Sequence, residues 1–253
     1  MIIKNDNFKY TKWATGGVNS RDFVERLETS RKVVFSFSDL AKILGKGEKY
    51  AKVYVNRLTK KGLLRLERDK YTTVGANPFL VASNLVFPSY VSFISAYSYH
   101  NLTTQLPRTL YVVALRQRKG LVYDNTSIRF VRFNKDRFFG FRRETLGNKF
   151  LFVAEVEKAI VDSLYLPRYC TVAETLFALK DAKLDVEKLL AFTERMRSLA
   201  LVKRLGFLLE VAGLDVPERW RLSLKNYTLL NPTLPQRGER NERWKLIINE
   251  VFD

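Results

Sequence analysis

Residues 46–74 read KGEKYAKVYVNRLTKKGLLRLERDKYTTV, a helix followed by a hairpin. Ala51, Tyr54, Val55 and Leu58 recur three and four residues apart, which gives the segment one apolar face, and Gly62 supplies its stop. The opposite face carries Lys49, Lys52, Val53, Asn56 and Lys60, with Arg57 at the border. LLRLERDKYTTV then alternates as two short strands around the polar turn Glu67-Arg68-Asp69-Lys70.

Two further helices precede this segment. In RDFVERLET (21–29), Phe23, Val24 and Leu27 fall at helical spacing. The β-rich run Val33-Val34-Phe35 follows, and Ser38 or Asp39 is placed to cap DLAKIL, which ends at Gly45. Helix, helix, basic helix and basic hairpin, in that order, predict a winged helix-turn-helix over residues 1–76. Such a third helix needs an apolar side for its own core and a side of donors for the DNA major groove. Asn56 suits an adenine edge, while Lys49, Lys52 and Arg57 suit guanines or phosphates, and Lys60 belongs to the same DNA-binding face. Arg65, Arg68 and Lys70 of the wing would lie near the backbone or minor groove. Seventeen basic against eight acidic residues over positions 1–76 favour DNA over the other common use of this fold, protein interaction.

The charge extends beyond this segment. The 253 residues hold 44 Lys and Arg against 26 Asp and Glu, a formal charge of +18, which on a folded chain points to a polyanionic partner. A hydrophobic share of 46% supports packed cores rather than a disordered polyelectrolyte. One cysteine, Cys170, excludes an intrachain disulfide and a cysteine-based zinc site; one histidine, His100, excludes a histidine-rich metal centre. No metal or cofactor is expected. The first residues lack an apolar signal core and no run is long enough to span a bilayer, so a soluble, cytoplasmic protein is expected.

After Gly75-Ala76-Asn77-Pro78 the texture changes, which places a second domain at 77–253, of mixed α/β character with a helical second half. Pro88 and Ser89 are expected to start a helix with Val91, Ile94, Ala96 and Tyr97 inward, and His100 at its end serves capping or packing. Residues 108–152 read as strands. Positions 108–143 hold ten basic residues against Asp124 and Asp136 alone, and Arg116, Arg118, Lys119, Arg129, Arg132, Arg137, Arg142 and Arg143 form a candidate second anion-binding surface. Strand alternation sets Arg129 and Arg132 on opposite faces, and charge that protects sheet edges is the competing explanation. From 153 onward the chain reads as helical: Thr171 to Glu174 as a capping box, Asp185 as a cap, Gly213 as a stop. Glu157 and Asp162 are five apart on a helix and diverge, which suits a solvated face and a buried polar contact better than paired catalysis. No Gly-rich phosphate loop or catalytic signature is present, so no enzyme is expected.

Four phrases, PSYVSFISAYSYHNL, LPRTLYVVAL, AEVEKAIVDSLYL and LLNPTLPQRGERNERWKLIIN, together resemble the AbiEi-type antitoxins of type IV toxin–antitoxin and phage abortive-infection systems. The resemblance covers most of residues 20–250 and is best in the tail, at Leu230-Asn231-Pro232, Gly238, Asn241, Trp244 and Asn249. It implies a winged helix that binds inverted repeats in double-stranded DNA of its own promoter and represses the operon. The protein would be a monomer in solution with two copies cooperating on DNA. It further implies a second domain that neutralises a nucleotidyltransferase-like toxin, without need of a stable complex. A stand-alone transcription factor with a ligand- or protein-sensing second domain is the alternative. A metal-dependent nucleic-acid enzyme would need clustered carboxylates.

Overall fold

The computed structural model describes residues 18–67, 70–221, 225–250 and 252, and of residues 65–67 the backbone alone. The chain is α+β and divides into two compact units, the first running to Leu85 and including Thr145–Phe150, the second comprising the rest from Val86. The division lies beyond position 76 because helix α4 (Pro78–Asn84), capped by the side chain of Asn77, is grouped with the first unit.

The first unit opens with α1 (Ser20–Thr29), whose N-terminus is capped by Asn19 and whose Phe23 and Leu27 are buried. Helix α2 (Phe37–Leu44) begins two residues earlier than expected. Ser36, not Ser38 or Asp39, is its cap: the Ser36 hydroxyl accepts from the Asp39 amide while the Asp39 carboxylate accepts from the Ser36 amide. Burial pushes the Asp39 carboxyl up, but bonds from the Lys32 ammonium and from the Ser36 amide and hydroxyl outweigh it and hold the group at about 2. Gly45 ends α2 with a φ of 65°, a left-handed position that glycine adopts without a Cβ clash.

Helix α3 (Glu48–Lys60) follows after three residues, then strands β1 (Leu64–Glu67) and β2 (Lys70–Thr73) pair antiparallel. Phe35 adds a third rung: its amide donates to the Tyr71 carbonyl at 2.8 Å and its carbonyl accepts from the Tyr71 amide at 2.9 Å. Phe23, Leu27, Phe35, Leu40, Leu44, Ala51, Val55, Leu58 and Leu64 make one core, so every one of these elements is locked through apolar side chains.

A six-stranded sheet is formed by β3 (Ser89–Val91), β4 (Thr109–Ala114), β5 (Leu121–Tyr123), β6 (Thr126–Arg132), β7 (Phe141–Leu146) and β8 (Lys149–Ala154), in the order β5-β6-β4-β3-β8-β7, and it belongs to the second unit apart from the end of β7 and the start of β8, which are grouped with the first. The expected helix start at Pro88-Ser89 is instead central strand β3, and α5 (Ile94–Tyr99) begins only after Phe93 turns the chain at φ 59°. The cause is burial between two neighbours. β3 runs antiparallel to β4 and parallel to β8, all three of its residues are buried, and a strand covered on both faces shows no alternation. Asp124 and Asn125, both at positive φ, turn β5 into β6.

Helix α6 (Val156–Tyr165), buried from Glu157 through Leu164, packs against α5, α7 (Val172–Asp181), α8 (Val186–Arg195) and α9 (Leu199–Val211). Thr171 caps α7, but the Glu174 carboxylate accepts from Thr103 and Gln105 instead of returning to the cap, so the box is half formed. Asp185 caps α8, and Gly213, at φ 72°, follows α9. The tail folds as a small sheet of β9 (Thr228–Leu229), β10 (Glu239–Asn241) and β11 (Leu246–Ile248). Its Trp244 ring lies over Gly206, where a Cβ would meet ring carbon at 2.2 Å, and its indole donates to Glu210 at 2.8 Å. Asn231 and Asn249 bond reciprocally through side chain and backbone, and Asn241 accepts from the Trp244 amide. The tail residues are thus structural. Among the described residues no helix is long and apolar enough to cross a membrane.

Candidate nucleic-acid interface

Helix α3 is built to present one side. No Gly or Pro interrupts residues 48–60, Glu48 sits in the first turn, and Arg57 and Lys60 lie in the last, each charge matched to the helix dipole. Ala51, Val55 and Leu58 are buried; Tyr54 is half-buried, edge-on to Phe23 at 5.5 Å, and its hydroxyl donates to the Val18 carbonyl. The helix is therefore held in rotation about its axis. Its other side follows from that: Lys49, Lys52, Val53, Asn56, Arg57 and Lys60 are all exposed. At 3.6 residues per turn, all but Arg57 fall within an arc of about 100°.

The side chains of Lys49, Lys52, Asn56, Arg57 and Lys60 make no hydrogen bond or ion pair with a described residue. Lys52 and Asn56, with Glu48 and Thr59, also line a groove of about 350 Å³ floored by Phe37, Val55 and Tyr71. Lys70 is half-buried in β2; the Arg65 side chain and all of Arg68 lie outside the described residues. Lys42 and Lys46, which the sequence reading left out, line an adjoining groove around Gly45. Their signal in the sequence was their place at the junction of α2 and α3, Lys42 in the last turn of α2 and Lys46 in the connection.

The eight cations of the second unit do not form one surface. Arg129 and Arg132, exposed on β6, pair with Tyr111 and Ala114 of β4 and point to opposite faces. Because β6 lies inside the sheet, edge protection does not explain them; it does apply to Arg142 and Arg143 on edge strand β7, where Arg142 is ion-paired with Glu144. Arg118 is half-buried with its guanidinium 5.4 Å from the Phe130 ring centre, and Lys119 is exposed. Arg137 is a correction: it turns inward, donating to the Met196 carbonyl at 3.0 Å and the Tyr165 hydroxyl at 2.7 Å. Its bonds lie within the fold and it adds nothing to an outer patch.

The carboxylates singled out from the sequence are both buried and both engaged. Asp162 pairs with Lys158 and accepts from Ser92 at 2.8 Å and Tyr90 at 3.2 Å. Burial lowers the Lys158 ammonium and raises the Asp162 carboxyl, and their attraction opposes both shifts. Glu157, expected on a solvated face, instead accepts from the Asp185 amide and pairs with Lys188. His100 ends α5 with Nε2 2.8 Å from the Ala154 carbonyl, and burial lowers its pKa. Burial pushes the Cys170 thiol up to about 12, which removes thiolate reactivity near neutral pH. Among the described residues no three His, Cys, Asp or Glu are grouped to hold a metal. No protein-family model and no curated protein sequence matches the chain.

Proposed function

We propose that the first unit is a winged helix-turn-helix and that the protein is a double-stranded-DNA-binding repressor of its own promoter. One observation carries this reading: α3 is pinned by Ala51, Val55 and Leu58 while Lys49, Lys52, Asn56, Arg57 and Lys60 stand exposed, their side chains without a hydrogen-bond or ion-pair partner among the described residues. A helix so fixed fits the major groove with its donors outward, and the hairpin tied through Phe35 and Tyr71 occupies the place of the wing. The second unit, on the resemblance of its sequence phrases to type IV antitoxins, would neutralise a nucleotidyltransferase-like toxin. A footprint of the protein on DNA upstream of its own gene tests the first job: two protected half-sites about one helical turn apart, or a multiple of it, are expected, and uniform weak protection would contradict sequence-specific binding. Growth rescue by the protein in cells that express a nucleotidyltransferase-like toxin tests the second.

One observation favours a sensing role for the second unit instead. It contains a basic groove on its own sheet, lined by Arg116, Arg132 and Lys135.

A further inference from the structure

Three chain segments meet at one end of the six-stranded sheet. β4 and β6 run parallel in the register Ala114↔Arg132, so both present their carboxyl ends there, and Phe133 continues the ladder by donating to the Ala114 carbonyl at 3.0 Å. β3 runs antiparallel to β4 with Ser89 opposite Ala114, which brings the residues just before it, Phe87 and Pro88, to the same end. The result is a groove of about 560 Å³, within the usual range for a small-molecule site.

Its lining is chemically one-sided. Arg116, Arg132 and Lys135 are exposed on it, Asn134 lies between the last two, and no carboxylate of the described residues lines it. None of the three cations makes an ion pair with a described residue. Three like charges on one concave surface repel one another, and a multiply charged anion relieves that repulsion. Phe87 stands on the same groove with 81% of its surface exposed: the Phe152 ring lies 6.0 Å from it, and the rest of this large apolar ring is kept in water beside three cations. Phosphate alone gives that ring nothing to do. A planar base does, since stacking on an aromatic face tolerates any base.

We propose that this groove binds a phosphorylated nucleoside, with its phosphates at Arg116, Arg132 and Lys135 and its base on Phe87. The inference stands on the second unit alone and is independent of DNA binding by α3.

Titration calorimetry of the full chain tests it with three probes: ATP, inorganic triphosphate and a 5′-phosphorylated oligothymidylate. Phe87→Ala is expected to weaken ATP at least about tenfold and to leave triphosphate unchanged. Arg116→Ala/Arg132→Ala is expected to weaken both. Since all three side chains are exposed, the variants should melt as the parent does. Tighter binding of ATP than of the oligonucleotide makes the ligand a free nucleotide, and the reverse order makes it a strand terminus. Equal affinity for ATP and triphosphate with no effect of Phe87→Ala overturns the proposal, as does the absence of heat with all three probes.

Discussion

Both units carry an excess of Lys and Arg over Asp and Glu, and they use it differently. On the first, α3 keeps its cations outside: Lys49, Lys52, Arg57 and Lys60 are exposed and have no side-chain partner among the described residues. In the second, many turn inward. Lys158 is fully buried against Asp162; Lys203 and Arg204, 4% and 5% exposed, donate to the Asn226, Leu164 and Leu229 carbonyls; Arg137 holds the Met196 carbonyl. The formal charge therefore overstates the field the second unit shows to a partner. A basic residue whose donors close carbonyls inside a fold acts as a structural clamp, and only the remainder is free to recruit an anion.

The largest expected effect probes the inward set. Asp162→Ala leaves the Lys158 ammonium buried without its partner and should destabilise the protein by about 3–5 kcal/mol in denaturant unfolding. Lys158→Met/Asp162→Leu removes both charges and should recover most of that loss. A neutral single variant would show that the pair is not buried as described. Next, Gly206→Ala drives a Cβ into the Trp244 ring and should cost about 1–3 kcal/mol by the same measurement. No change there would mean the tail sheet does not pack on α9.

A smaller effect is expected at the α2 cap. Asp39→Asn should cost about 1 kcal/mol at neutral pH. Its carboxyl is depressed in the folded state from 3.8 to about 2, so its contribution is complete above 3.8 and disappears as the pH falls toward 2. Unfolding measured across that window should show the difference between parent and Asp39→Asn shrinking; a constant gap would contradict the cap. The smallest effects belong to the outward set. Lys49→Ala and Arg129→Ala should each change stability by less than about 0.5 kcal/mol, and a large loss in either would move that residue to the structural class.

How far the sequence is legible follows the same line. The α3 face could be read in advance because one side packs and the other meets water, and that contrast is written as a 3.6-residue period. Strand β3 could not, since Ser89, Tyr90 and Val91 are all buried and no period distinguishes them from a helix start. Ser36 was hidden as the cap because Ser38 and Asp39 offer the same chemistry two and three residues on. Arg137 and Arg143 look alike in the sequence; only tertiary neighbours turn one inward. Phe87 carries no local signal at all, because what gives it meaning is the meeting of three segments distant in the chain.

The most direct test of the central claim is fluorescence anisotropy of the full chain on duplex DNA from upstream of its own gene, comparing two variants. Lys52→Ala/Asn56→Ala should lose sequence-specific affinity, each base contact being worth about 1–3 kcal/mol, whereas Arg129→Ala/Arg142→Ala/Arg143→Ala should keep it. Unchanged binding by the α3 variant, with loss in the second-unit variant, would contradict the account and move the DNA interface to the sheet.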